Sequence, residues 1–203
     1  MCRKIFALVL LLVAFGASAA PSAREVMRKA AATLSGASGV TVRYSISSSD
    51  GGRFSGTAIV KGRAFYLDQG RYKTWYDGKS MTTLDTSDNT ATLSNPTAAE
   101  VDQMCPTGYI SSWASGYTVA LAKRQPASGH CVILTARNSG AAAKKVILTV
   151  GANFQPQKLV VSLRNGITAT VVISSLRTGG ASAANNFRFP SNKYRKVKVT
   201  DLR

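Results

Sequence analysis

The chain has 203 residues, 45% of them hydrophobic, and 26 Lys and Arg against 9 Asp and Glu, for a formal net charge of +17. That length suits one domain with a substantial core. The positive balance invites a nucleic-acid partner; an export signal, and basic residues scattered over strand edges and turns with no basic helix, exclude it.

Met1 to Lys4 is short and basic, Ile5 to Phe15 is apolar, and Ala17-Ser18-Ala19 offers small residues for a signal peptidase. Residues 1–19 therefore read as a secretory signal peptide and 20–203 as the mature domain. The apolar run is shorter than the roughly 20 residues a membrane-spanning helix needs. Without Arg3 and Lys4, 24 basic residues remain against 9 acidic ones. For an exported protein such a surface suits anionic headgroups or an acidic partner, or is simply solvated.

Ala23 to Leu34 is expected to be helical, with Val26, Met27, Ala30, Ala31 and Leu34 on one side. Ser22 and Glu25 have capping-box spacing, and Gly36 and Gly39 end the helix. From Val40 the period changes to two. Strands are expected at Val40 to Ser47, Arg53 to Lys61, Ala64 to Asp68, Tyr72 to Tyr76, Lys79 to Asp85 and Thr90 to Ser94, with Asp77-Gly78 a strong hairpin turn. Thr97 then caps a short helix, with Glu100 three residues on and Val101 and Met104 facing inward. Pro106 to Ser115 suits another helical turn, carrying Tyr109, Ile110 and Trp113. Strand patterns resume at Tyr117 to Ala122, His130 to Arg137, Lys145 to Val150, Lys158 to Arg164, Thr168 to Leu176 and Arg195 to Leu202, after a small-residue loop at Gly179 to Asn186. About ten or eleven strands with no βαβ alternation predict a mainly β protein. Its expected form is a single curved antiparallel sheet, an incomplete β-barrel with a helical lid.

Strands covered on one side alternate apolar and polar residues. Cys131-Val132-Ile133-Leu134, Val146-Ile147-Leu148, Leu159-Val160-Val161 and Val171-Val172-Ile173 do not. A face the protein cannot cover itself invites a lipid; a barrel filled by its own side chains is the alternative.

Gly56 to Asp68 (GTAIVKGRAFYLD), Thr74 to Val101 (TWYDGKSMTTLDTSDNTATLSNPTAAEV), Phe187-Arg188-Phe189-Pro190 and the closing Val199 to Arg203 occur in an order that resembles the periplasmic outer-membrane lipoprotein carrier family, LolA. The resemblance implies an incomplete barrel with a helical lid over an apolar cavity. It also implies acylated lipoproteins as cargo, an inner-membrane lipoprotein-releasing transporter and an outer-membrane receptor as partners, and a periplasmic location. Better-studied members carry Lys-Arg-Pro where this chain has Lys61-Gly62-Arg63, so Arg63 is the lid-control candidate one position on. An envelope lipid or lipoprotein sensor on the same fold is the second reading, and a basic polysaccharide binder the third.

Lid candidates are Tyr109, Ile110 and Trp113, beside Val26, Met27 and Leu34 of the first helix; core packing is the alternative for all six. The cavity wall is expected from Phe54, Val60, Phe65, Leu67, Trp75, Met81, Leu84 and Ile133. Cys105 and Cys131 are a candidate disulfide closing about 27 residues, worth about 3–4 kcal/mol. Lys193, Arg195, Lys196 and Lys198 either protect an edge strand or dock a partner. His130, the only histidine, reads as a turn residue, and Asp85 and Asp88 as hairpin residues. No metal-ligand, phosphate-loop or carboxylate-pair motif is present, so neither catalysis, a metal nor a cofactor is expected, and the protein is expected to be a monomer.

Overall fold

The computed structural model describes residues 20–35, 38–105, 107–141, 143–179 and 187–203. The expected signal peptide, Gly36, Pro106 and positions 180–186 of the small-residue loop lie outside the described residues.

Helix α1 (Ala23–Thr33) starts where Ser22 Oγ accepts the Glu25 N–H at 3.2 Å. Glu25 turns its carboxylate to Lys29, 3.0 Å away, so only half of the expected capping box forms. Val26, Met27 and Ala30 are fully buried and Leu34 nearly so. Large side chains buried this way contribute about 1.5–3 kcal/mol each, which ties the helix to the sheet. Lys29 Nζ also lies 4.5 Å above the Phe154 ring, which stacks on His130 at 5.3 Å. His130 opens a strand, as the pattern from His130 to Arg137 predicts, and does not sit in the turn before it.

Twelve strands form one sheet: β1 (Val40–Ser48), β2 (Arg53–Lys61), β3 (Ala64–Gln69), β4 (Tyr72–Tyr76), β5 (Met81–Asp85), β6 (Thr90–Ser94), β7 (Tyr117–Leu121), β8 (His130–Ala136), β9 (Ala143–Val150), β10 (Pro156–Leu163), β11 (Thr168–Thr178) and β12 (Lys198–Asp201). Their order is β12-β6-β5-β4-β3-β2-β1-β11-β10-β9-β8-β7, an open sheet not closed into a barrel. Ten of the eleven pairings are antiparallel; β12 runs parallel to β6, a departure from the all-antiparallel expectation.

The β4–β5 hairpin shows local turn chemistry at work. Gly78 takes φ of 100°, a conformation open to glycine at little cost, and the Asp77 carboxylate accepts the Lys79 and Ser80 N–H groups at 3.0 and 2.9 Å. Between β6 and β7 lie α2 (Ala98–Met104), α3 (Gly108–Ser111) and α4 (Trp113–Gly116). The capping box at Thr97 and Glu100 is complete. None of the described helices is long and apolar enough to cross a membrane.

The alternation sorts the sheet into two faces. On one, Val40, Val42, Val60, Phe65, Leu67, Val132, Leu134, Leu148 and Leu159 form the main core with α1 and the start of α3. On the other, over β3 to β6, Trp75, Leu84 and Ala91 form a second, smaller cluster with Tyr66 and with Phe189, Tyr194 and Val197 of the C-terminal segment.

Candidate functional site

On the helix-covered face α1 packs against β7, β8 and α3. Beside it, between the β2–β3 hairpin and helices α2 to α4, a cleft of about 300 Å³ remains. Val60, Gly62, Arg63 and Phe65 form its sheet side, and Ala98, Val101, Asp102, Cys105, Gly108, Ser111, Ser112 and Ser115 its helical side. Gly108 lets α3 approach α2 closely: a Cβ there would stand 2.6 Å from the Asp102 Cα.

The cleft is apolar at its base and polar at its rim. Asp102 is its one carboxylate and accepts a hydrogen bond from Ser112 Oγ at 2.6 Å, joining α2 to the start of α4. Burial pushes its pKa up, against the opposing pull of the Ser112 hydrogen bond and the Arg63 charge. Cys105 is buried with Sγ 3.3 Å from Thr107 Oγ1, and burial pushes that thiol up too. Nearby, burial raises the Tyr109 phenol, and the Tyr117 hydroxyl accepts the Ala143 N–H at 3.2 Å. Among the described residues no three His, Cys, Asp or Glu side chains group as metal ligands.

The residues expected at the site divide between places. Val60, Phe65 and Arg63 line the cleft. Val26, Met27, Leu34, Leu67, Met81, Tyr109 and Ile110 are buried in the main core, where they pack as interior residues, and Trp113 packs partly buried against it. Phe54 shares the face of Val60 but sits at the open end of β2, is 46% exposed and lies outside this cleft, lining instead an open pocket with Ile46, Arg53 and Val172. Trp75 and Leu84 point to the opposite face, because they pair with Tyr66 and Thr82, and with Lys73 and Ala91, whereas Phe65, Tyr76 and Met81 share a row facing the helices. Ile133 also faces away from the helices, between its buried neighbours Val132 and Leu134.

Cys105 and Cys131 are both free. Cys105 lies in the cleft, whereas Cys131 alternates with Val132 and so turns to the opposite face of β8, which explains why the expected bridge does not form. Met104, expected to face inward, is 38% exposed. Ala98, Asp102, Ser111, Ser112 and Ser115 escaped the sequence reading. Small and polar residues on three short helices carry no periodic signal, and only the fold brings Ser112 to Asp102.

A sequence model of the family described as "Outer membrane lipoprotein carrier protein LolA" matches residues 12–166. The match ends before Phe187 and the last strand. No curated protein matches the chain. Among solved structures, an uncharacterized conserved protein from Thermus thermophilus is similar at 14% identity and a TM-score of 0.56, over 88% of this chain and 98% of that one. A DUF1329 family protein from Desulfovibrio piger is similar at 8% identity and a TM-score of 0.50, over 83% and 98%. A LolA superfamily protein from Nitrosomonas europaea aligns at 12% identity and a TM-score of 0.49, over 84% and 99%. At such identities the likeness is one of fold.

Proposed function

Since the chain belongs to the outer membrane lipoprotein carrier (LolA) family, we propose that it is a periplasmic carrier that shelters lipoprotein acyl chains in the cleft under α2 to α4 and performs no catalysis. Residues 1–19 would direct export and be removed. An inner-membrane releasing transporter would load the carrier and an outer-membrane receptor would unload it.

The observation that carries this reading is the cleft of about 300 Å³, with Val60, Phe65 and Val101 among its lining residues, closed on one side only by short helices. Its size falls at the small end of ligand pockets, about 300–1,000 Å³, so a second acyl chain requires α2 and α4, which carry no buried residue, to move while α3 stays anchored by Tyr109 and Ile110. α4 suits such movement: it is four residues long and has no side-chain cap. Each methylene sheltered from water contributes about 0.8 kcal/mol, so a long acyl chain is held strongly with no covalent step. Delivery then follows affinity, the receptor holding the chains more tightly than the carrier.

Arg63 fits the role of lid control. It projects from the β2–β3 turn into the cleft, and its charge acts on Asp102 of α2. The two form no ion pair among the described residues, so the attraction would only bias α2 toward the sheet until acyl chains enter.

The test is uptake of a hydrophobic dye by the purified mature chain, competed by a triacylated peptide. Absence of competable uptake ends the carrier reading. Depletion in cells then separates carrier from sensor: lipoproteins accumulating at the inner membrane indicate transport, and unchanged sorting indicates a sensing module.

A further inference from the structure

The sheet face turned away from the helices is covered over β3 to β6 by the C-terminal segment. Over β8 to β10 it carries an apolar row. Register sets Ile133 opposite Ile147, and Ile147 opposite Val160. All three are partly exposed and belong to neither hydrophobic cluster among the described residues. Val172, one strand on, is 42% exposed and pairs with Lys158. Adjacent strands thus present three aligned aliphatic side chains, with a fourth beside them, to the outside.

The charge around this row has one sign. From Gln103 to Thr200 the sequence holds no Asp or Glu but 13 Lys and Arg. Two of these flank the row on the same face, Lys145 two residues before Ile147 and Lys158 two before Val160. Both are exposed, and neither forms an ion pair among the described residues. Neither lysine lies on an edge strand, so protection of an edge against aggregation does not account for them.

We propose that this face of β8 to β10 is a docking surface for an anionic phospholipid bilayer. The two features answer the two layers of such a surface. Lysines are attracted to anionic headgroups, and aliphatic side chains reaching the acyl boundary gain by leaving water. Each contribution is small, so contact is reversible, as an exchange between two membranes requires. The inference stands apart from acyl binding in the cleft, which lies on the other side of the sheet.

The experiment is co-sedimentation of the chain lacking residues 1–19 with vesicles of phosphatidylcholine alone and of phosphatidylcholine mixed equally with phosphatidylglycerol. Binding is expected to the mixed vesicles only and to fall with salt. The double variant Lys145→Glu, Lys158→Glu should bind at least about tenfold more weakly, since two attractive charges become repulsive. Ile147→Ser with Val160→Ser, which leaves the charge unchanged, should weaken binding several-fold. Dye uptake by the cleft should be the same in the parent and both variants. Equal binding to neutral vesicles, no binding to anionic ones, or indifference to the lysine variant overturns the proposal. So does a dimer that Ile147→Ser dissociates without any vesicle binding. The lysine variant alters only exposed side chains, so it still decides the matter if the serine variant melts early.

Discussion

The Trp75 ring meets the Phe189 ring edge to face, with 5.3 Å between centroids and 74° between planes. Tyr194 completes the group, stacked on Phe189 at 5.5 Å and edge-on to Trp75 at 5.9 Å. The closing Phe-Arg-Phe-Pro stretch is thus a cover for the face of β3 to β6 opposite the helices. It also brings β12 alongside β6, whose edge would otherwise be open.

Phe189→Ala should therefore destabilise the protein by about 2 kcal/mol, below the 3–5 kcal/mol of a fully buried phenylalanine. At this chain length that lowers Tm by about 4–8 °C. Dye uptake below the transition should be unchanged. A normal melt with impaired uptake would place Trp75 on the cleft side after all.

Met27 decides between a core helix and a lid helix. It is fully buried against the sheet, so Met27→Ala should cost about 3 kcal/mol. Thermal denaturation would show the loss directly. A variant with unchanged Tm and altered uptake would make α1 part of the moving lid.

Val101 lines the cleft from α2 and is partly buried. Val101→Trp should fill the space and weaken dye binding at least about tenfold, equivalent to about 1.4 kcal/mol, with the far-UV spectrum retained. Unchanged affinity would mean that the ligand sits elsewhere.

Asp102 gives a pH signature. Its folded pKa is raised, chiefly by burial, so above about pH 3.9, where the unfolded chain releases this proton, the native state binds more protons than the unfolded one. Stability from this group is complete below that pH and declines as pH rises through the raised value. Asp102→Asn keeps an acceptor for Ser112 and removes the buried charge. It should be more stable than the parent at neutral pH, with the difference vanishing toward pH 3. Urea melts across that range check the sign; a variant less stable at pH 7 would show that the Arg63 interaction outweighs burial.

The thiols differ in access. In the chain lacking residues 1–19, two thiols should titrate after unfolding without reductant. In the folded state Cys131 should react first, because Cys105 is buried and its thiolate disfavoured. A single slow thiol, or none, would indicate a bridge.

Local chemistry made much of this molecule legible from its sequence. The caps at Ser22 and Thr97, the Asp77-Gly78 hairpin and the period-two runs each depend on residues within a few positions of one another, so each shows without the fold. The doubly apolar strands were legible as well: Ile133, Ile147, Val160 and Val172 do lie on a face that no described segment covers.

Which face each side chain joins was not legible. A period of two separates Trp75 from Tyr76 and Ile133 from Val132, but it does not say which set meets the helices. That depends on pairings such as Val40 with Thr178, far apart in the chain, and on α1 settling over one face while the C-terminal segment settled over the other. Residue pattern alone determined the strands, the caps and the surplus of apolar surface. Tertiary structure decided the division of that surface into core, cleft and bare sheet, because burial is assigned by whatever packs across a face and not by neighbours in sequence.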